Sequence, residues 1–365
     1  MGIIKNVMSK TTLAFQNYKR DINITKNAMT LGVSVLDWTP DPSKYKNDNI
    51  HPCVRYIPKG FAGHEWWMVT TPYPDFDSTH ENPILYWGNS RTGNLPPLVW
   101  EGGVVVENTP ATGYNSDGCI YYDGAKLWVF WREVDTPNSS PLGTFVTYGC
   151  STTDGITFSP KKVFAISGWD IPNSSGDDIM CPIVIEVKGN LKMFASYYEY
   201  EPVKGGHGIA IWDIPNRDLK NEVFTRTKVV GTLHRDTFDL WHMDLFKHAN
   251  KLYCVASPQS GDEILLGESS DGENFKFWST PLLSKVIAET NYLYKPTALV
   301  HQGILYLWHP KRVEGVNKIY MTQGNFSDIL YNLEASISHV RNPQKKMALL
   351  RDIIIKKKPF SLMFR

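Results

Sequence analysis

The amino-acid sequence predicts an all-β fold, a five-bladed β-propeller, from three observations. Short runs rich in β-branched and aromatic residues recur along the chain, bounded by Gly, Pro, Asn or Asp, which is typical of half-buried strands and their turns. A pair of such runs joined by a tight turn occurs five times, and Asp-Gly turns, which favour β-hairpins, recur between later runs. Units of three or four antiparallel strands that repeat roughly every 50 to 65 residues are typical of propeller blades.

The first unit, residues 51–93, shows the plan that the later units repeat. It contains three predicted strands, which are residues 53–57, 65–71 and 84–88. His51-Pro52 opens the unit, and proline suits the first residue of a strand because it has no backbone N–H to donate. One such sheet cannot bury both of its faces, so several copies must pack together.

The spacing of the five units favours a ring. Equivalent positions are Trp66, Leu127, Leu191, Leu252 and Leu305. Subtraction places them about 61, 64, 61 and 53 residues apart, which is the length of a four-stranded unit. An elongated stack of repeats is the alternative, but its periods would be shorter and more even.

The two ends of the repeat define the expected domain. A closed ring needs its last sheet completed, because an open edge strand promotes aggregation. No strong fourth strand follows the fifth unit, whereas residues 30–38 alternate as a strand should, so we expect them to pair with the last blade and close the ring. The propeller would then span residues 29–325, between an N-terminal arm at residues 1–28 and a basic helical extension at residues 326–365.

Charge, hydropathy and cysteine usage exclude several function classes. The net charge is +1, which gives no field to attract nucleic acid, and we expect no nucleic-acid partner. No apolar run approaches the roughly 20 residues that span a bilayer, so a membrane partner is not expected. The five cysteines are scattered and form no CxxC pair, which favours reduced core thiols over disulfides or a zinc site.

The first strand of each propeller blade lines the central channel, so five distant segments should meet at one mouth of the axis. These segments begin at His51, Asn115, Asp177, Trp241 and Tyr294, and each is polar where the strand behind it is apolar. Buried polar groups are costly unless paired, so a polar ring suggests a site for a polar ligand. The alternative is a water-filled channel in which carboxylates pair with the histidines and a lysine.

Residues of these segments and aromatic residues near them are the ligand-binding candidates. They are His51, Asn115, Asp117, Asp177, Asp178, Trp169, Trp241, His242, Asp244, Tyr294 and Lys295. His242 with Asp244 could also hold a Ca²⁺ ion. No other cofactor is expected, since no dinucleotide or Walker motif is present.

At these residues the sequence resembles the five-bladed propeller superfamily of arabinanases, invertases and family 43 glycosidases. The strings HPCVRYIPKGFAGHEWWMVTTPYP…ENP, YNSDGCIYYDG and YKPTALVHQGILYLW are more closely similar to propeller modules of receptor-binding proteins from phages of Gram-positive bacteria. The resemblance covers roughly residues 47–322. It implies recognition of a cell-wall glycan such as teichoic acid.

The glycosidase side of the resemblance implies three carboxylates: a base on blade one, a pKa-modulating Asp on blade two and an acid Glu on blade three. Asp117 matches the second role. Blade one offers His51 instead of the base, with Asp48 three residues away, and blade three offers Asp177 and Asp178 instead of Glu. Asp117, Asp178 and Asp48 are therefore the catalytic candidates if the protein is an enzyme.

Three functions remain open at this point. The first is a phage tail receptor-binding protein that binds polysaccharide without cleaving it, as a homo-oligomer or within a tail assembly. The second is a glycoside hydrolase, and the third is an intracellular protein of polysaccharide assembly. The N-terminal residues lack the apolar core of a secretory signal, so we expect the protein in a virion or in the cytoplasm.

Overall fold

A computed structural model describes residues 29–135, 144–168, 177–199, 207–219, 226–231 and 240–341. In this part of the chain the strands form five antiparallel sheets, and the predicted five-bladed propeller is confirmed. The predicted arm at residues 1–28 and the end of the extension after residue 341 lie outside the described residues.

In the first three blades the four strands lie side by side in sequence order, with the first strand at the inner edge of the sheet. The first strand of the chain is β1 (Thr30–Leu36). Blade one contains β2 (Ile50–Phe61), β3 (His64–Thr71), β4 (Ile84–Gly88) and β5 (Glu101–Val105). Blade two contains β6 (Tyr114–Tyr122), β7 (Leu127–Asp135), β8 (Thr144–Thr152) and β9 (Lys162–Gly168). Blade three contains β10 (Asp177–Val187), β11 (Asn190–Glu199), β12 (His207–Ile214) and β13 (Arg226–Gly231).

The last two blades depart slightly from this plan. Blade four contains β14 (Leu240–His248), β15 (Lys251–Pro258), β16 (Glu263–Ser269) and β17 (Lys276–Phe277), with β18 (Leu283–Ser284) also paired to β16. Blade five contains β19 (Thr297–His301), β20 (Ile304–Val313) and β21 (Val316–Asn325). Short helices α1 (Pro42–Tyr45) and α2 (Lys285–Ala288) lie between strands, and α3 (Phe326–Arg341) follows the ring.

The outer strand of blade five comes from the other end of the sequence. β1 pairs antiparallel with β21, and the register joins Thr30 to Gln323 and Leu36 to Ile319. Leu36 is buried in a cluster shared by blades one and five. Blade five is therefore completed by a strand that precedes all of the other blades in sequence.

Each Asp-Gly turn connects two strands of one blade and packs against the preceding blade. In the turn between β8 and β9, the Asp154 carboxylate accepts hydrogen bonds from the backbone N–H groups of Ile156 and Thr157. Gly155 in this turn lies against the indole of Trp67 in blade one. A Cβ atom added to Gly155 would lie only 2.5 Å from that ring. The turn thus serves as a packing surface between blades one and two.

Helix α3 packs against blade four. Asn325 Oδ1 accepts a hydrogen bond from the Asp328 backbone N–H and caps the helix. Phe326 lies edge-on to Phe246 and Tyr253, with ring centroids 6.0 and 5.1 Å apart. Among the helices of the described residues, none is both long and apolar enough to cross a membrane.

Candidate functional site

The innermost strands of the first three blades bend at equivalent positions. His51, Asp117 and Cys181 have φ angles of 52°, 60° and 55°, each at a register shift between the first and second strands of its blade. Left-handed backbone is uncommon for residues other than glycine, and strain of this kind concentrates at functional sites. The three bulges bring side chains of different blades into contact at the axis.

His51 of β2, Asp117 of β6 and His242 of β14 meet there, and we call these three residues the axial triad. Asp117 Oδ1 lies 3.3 Å from His242 Nε2 and 3.9 Å from His51 Nε2. The two imidazole centroids are 5.2 Å apart. All three side chains are buried, so their charges interact with little screening from water.

The protonation states of the triad follow from burial and from one neighbour. Burial lowers the pKa of His51 well below its usual range and also lowers the pKa of His242, so both imidazoles are neutral at pH 7. Burial alone would raise the pKa of Asp117, but the Arg132 guanidinium, whose Nε lies 3.1 Å from Oδ2, and a hydrogen bond from His242 hold it well below the usual range. Two neutral imidazoles therefore face one carboxylate.

Aromatic rings lead from the triad toward solvent. The Tyr294 ring lies 4.2 Å from His242 and 4.9 Å from His51, measured between centroids. Trp241 Nε1 donates a hydrogen bond to the Tyr294 hydroxyl at 3.4 Å. Tyr292 lies 5.1 Å from Tyr294 and is 39% exposed, so the row of rings reaches the surface.

Glu81 also belongs to this site, and sequence reasoning missed it. It lies in the loop between β3 and β4, held there by a 3.1 Å hydrogen bond from the Asn115 backbone N–H to its carbonyl. Its Oε2 is 3.7 Å from His51 Nδ1. Burial raises the pKa of Glu81 to about 8, which keeps the carboxyl protonated at pH 7.

Several buried polar atoms around the triad have no hydrogen-bond partner within the described residues. They are His51 Nε2, His242 Nδ1 and Glu81 Oε2, whereas Asp117 Oδ2 and Arg132 Nε, 3.1 Å apart, pair with each other as ions. Each such atom costs about 1 to 3 kcal/mol when nothing replaces its lost water. A polar group that hydrogen-bonded to these three atoms would therefore be stabilised beside the triad.

The axial triad could hold a metal ion. One ligand atom from each of its three residues lies within 4.8 Å of the others. Neutral imidazoles and an ionised carboxylate are the protonation states that bind metals. His51 Nδ1 lies 2.8 Å from the Thr71 hydroxyl and 3.2 Å from the Ser116 hydroxyl, which fixes the ring so that Nε2 faces the triad. Two nitrogens and an oxygen suit Zn²⁺ or Mn²⁺ better than Ca²⁺, which prefers oxygen ligands.

Asp244, the expected metal partner of His242, is engaged elsewhere. Arg55 donates to both of its carboxylate oxygens, at 2.8 and 2.7 Å, and the Thr297 hydroxyl donates to Oδ2 as well. Lys295 is also buried, and its ammonium group donates to the Gly118 carbonyl at 2.9 Å. These two charged residues stabilise contacts between blades beneath the triad.

Two other predicted site residues, Asp48 and Asn115, form hydrogen bonds within the fold. Asp48 accepts three hydrogen bonds of 2.9 to 3.0 Å from Asn317, and burial raises its pKa to about 6. Asn115 accepts from Trp131 Nε1 and donates to the Asn108 carbonyl, so its amide has structural partners.

The blade-three candidates are described less completely. Asp177 and Asp178 lie at the start of β10, paired in register with Glu199 and Tyr198, and only their backbone is described. Trp169 lies outside the described residues. Catalytic roles for Asp48, Asp117 and Asp178 stay predictions.

Comparison with known proteins shows what this propeller is similar to. No protein-family model and no curated protein matches the sequence. Among solved structures, an N-acetylgalactosamine deacetylase from F. plautii in complex with blood group B trisaccharide matches with a TM-score of 0.64 and 14% identity, over 84% of this chain and 97% of that one. A GH43_1 enzyme from Xanthomonas citri matches with a TM-score of 0.56 and 12% identity, over 82% and 92% of the two chains.

A third solved structure is also similar to this chain over most of its length. A family 117 glycoside hydrolase produced by the marine bacterium Zobellia galactanivorans matches with a TM-score of 0.53 and 12% identity, over 82% of this chain and 90% of that one. At such identities the likeness shows a shared five-bladed propeller fold. Function has to be inferred from the site itself.

Proposed function

We propose that the propeller binds a saccharide at the axial mouth and recognises it without cleaving it, as a receptor-binding module for host cell-wall polysaccharide. The observation that carries the proposal is the buried polar cluster around the axial triad, in which His51 Nε2, His242 Nδ1 and Glu81 Oε2 have no hydrogen-bond partner in the described residues. It lies beside a row of aromatic rings that reaches solvent. Sugars match this combination because their hydroxyls both donate and accept hydrogen bonds while their ring faces are apolar.

The outer aromatic rings and the inner polar atoms of the site would contact different parts of a saccharide. A saccharide that entered past Tyr292 and Tyr294 would stack on rings that present flat apolar faces. Its hydroxyls could then form hydrogen bonds with His51 Nε2, His242 Nδ1 and Glu81 Oε2, three atoms without hydrogen-bond partners in the described residues. Burial makes each of these hydrogen bonds worth more than it would be in water.

Recognition without cleavage is supported by the state of the carboxylates. Glycoside hydrolysis needs one protonated and one ionised carboxyl group on either side of the scissile bond. Protonated Glu81 and ionised Asp117 have these two states, but Asp117 is already neutralised by Arg132, and Asp48 is bound by Asn317. His51 occupies the position on blade one where the glycosidase resemblance implies a base.

A matched pair of tyrosine variants tests the binding site. Tyr292→Ala removes the outermost ring of the row, and Tyr331→Ala removes a 70% exposed ring on α3. With a panel of purified cell-wall polysaccharides, we expect Tyr292→Ala to weaken retention about tenfold, equivalent to about 1.4 kcal/mol. Tyr331→Ala should bind as the wild type does. Equal loss in both variants, or none in Tyr292→Ala, would refute binding at this mouth.

The same incubation tests cleavage. We expect no new reducing ends after prolonged contact with the bound polysaccharide. Turnover that Asp117→Asn or Asp178→Asn abolishes would establish a glycoside hydrolase instead. Size fractionation of the protein would show whether it forms an oligomer or co-migrates with a tail assembly, which are the partners expected of a receptor-binding module.

A second candidate function, metal-assisted hydrolysis of an acyl substituent on a sugar, is favoured by the metal-ligand geometry of the axial triad. A divalent cation held there would polarise a carbonyl group and lower the pKa of a bound water. Glu81, protonated at pH 7 and 3.7 Å from His51, could donate a proton to the leaving group. Release of acetate from N-acetylated polysaccharide in the presence of Zn²⁺ or Mn²⁺, lost in His242→Ala, would support this reaction over recognition alone.

A further inference from the structure

A second exposed aromatic ring lies near the axial mouth, in the loop between β3 and β4. Phe76 is 62% exposed, and its ring packs edge-on against the ring of Tyr73, with the centroids 5.9 Å apart. Burial and the nearby Tyr73 phenol both raise the pKa of Tyr292, the outermost ring of the row that leads to the triad. The loop that carries Phe76 therefore reaches the same mouth.

The backbone of this loop is strained where it presents the ring. Asp75 and Phe76 have φ angles of 55° and 62°, in the left-handed region that bulky side chains rarely adopt. The Tyr73 backbone N–H donates to the Asp48 carboxylate, which also binds Asn317 of β21, so the loop is tied to blade five. Strain of this kind concentrates at functional sites, including those that hold ligands.

A guanidinium group with a free donor lies against this ring. The central carbon of the Arg312 guanidinium, from β20, is 3.9 Å from the centroid of the Phe76 ring. Arg312 Nη1 is buried and has no hydrogen-bond partner within the described residues. Two carboxylates of this region are engaged elsewhere, Asp75 with Lys46 and Asp48 in the hydrogen bonds given above. A planar guanidinium in this state suits a carboxylate or phosphate group, which accepts two parallel hydrogen bonds from it.

We propose that Phe76 and Arg312 form an outer subsite of the axial mouth, where a sugar of the bound polysaccharide packs against the exposed part of the Phe76 ring and its carboxylate or phosphate group binds Arg312. This subsite rests on the proposed saccharide binding at the axial mouth, and it requires the bound polysaccharide to be acidic. The saccharide chain crosses the rim from Tyr292 to Phe76, two exposed rings. Because Arg312 is half-buried, its attraction for an oxyanion is less screened than it would be in open water.

Retention on three sets of immobilised cell-wall polysaccharides, neutral, rich in uronic acids and bearing phosphate groups, tests this subsite. We expect the wild type to retain an acidic set more strongly than the neutral one, and the set retained tells carboxylate from phosphate. Arg312→Gln should weaken retention of that acidic set about tenfold and of the neutral set less than about twofold. A wild type that retains neutral polysaccharides best, through Tyr292, would overturn the subsite and leave saccharide binding at the mouth in place. A wild type that retains none would overturn both.

A neighbouring lysine supplies the matched control. Lys311→Gln removes the same charge one residue away, from an ammonium group that lies 5.2 Å from the centroid of the Tyr320 ring, and should bind as the wild type does. Phe76→Ala should weaken retention of the acidic set about as much as Arg312→Gln, whereas Arg312→Lys, which keeps the charge but not the planar fork, should recover only part of it. Equal loss in Arg312→Gln and Lys311→Gln would show a general attraction between charges and overturn the subsite.

Discussion

Closure of the ring by β1 gives a stability prediction that can be worked from burial. Leu36 is 1% exposed and packs in the cluster shared by blades one and five, whereas Val33 on the same strand is 49% exposed. Leu36→Ala deletes three buried carbons, about 2.4 kcal/mol at 0.8 kcal/mol each. The cavity left in the core raises the expected loss to about 3 to 5 kcal/mol. Val33→Ala removes two half-exposed carbons and should cost less than about 1 kcal/mol.

Urea unfolding of both variants and the wild type, followed by intrinsic tryptophan fluorescence, measures the difference. We expect the midpoint of Leu36→Ala to fall well below that of Val33→Ala, with similar dependence of the unfolding free energy on urea. Hydrogen exchange adds a second readout, because a strand that closes a cooperative ring exchanges as slowly as its neighbour β21. Equal midpoints for the two variants, or fast exchange confined to residues 30–36, would refute closure of the ring by this strand.

Two further predictions concern a blade contact and a buried acid. Gly155→Ala should destabilise the fold by about 2 to 5 kcal/mol in urea unfolding, because the new methyl group meets Trp67 at a positive φ of 78°. Gly189→Ala, with a φ of 83° and open space around it, should cost only about 1 to 2 kcal/mol, and equal costs would contradict the contact. The folded pKa of Glu81 is raised, so its stabilising contribution is present at low pH and is lost as pH rises toward about 8. Relative to Glu81→Gln, the wild type should lose unfolding free energy between about pH 4.5 and 8, by up to about 1.4 kcal/mol per pH unit, and parallel pH profiles would contradict a buried protonated acid.

The repeat made most of the architecture predictable. β4 begins and ends where its run of β-branched and aromatic residues, bounded by Pro83 and Asn89, predicts a strand, at 84–88. β5 was not predicted, since its Glu-Gly-Gly start is typical of a loop. The structure explains one of these glycines: a Cβ at Gly102 would lie 2.6 Å from the indole of Trp87, so close packing outweighs β-propensity there.

The candidate site was only partly accessible to sequence reasoning. His51, Asp117 and His242 could be selected because each opens the first strand of a blade, and the topology brings such positions together. Glu81 lies in an irregular loop whose position no strand periodicity reveals. Arg132 lies on a second strand, where the bulge at Asp117 brings it beside the carboxylate. Bulges and loop conformations depend on tertiary packing, so single-sequence patterns do not specify them.

Nuclear magnetic resonance of the histidine side chains tests most directly whether residues from separate blades form one binding site. The protein would be labelled with ¹⁵N in its imidazole rings and titrated with fragments of a cell-wall polysaccharide that it retains. We expect the ring signals of His51 and His242 to shift together and saturate at one concentration, while those of His248 and His301, which lie in other surroundings, stay in place. Saturable binding that leaves both axial histidines unchanged would contradict a saccharide site at the centre of the propeller.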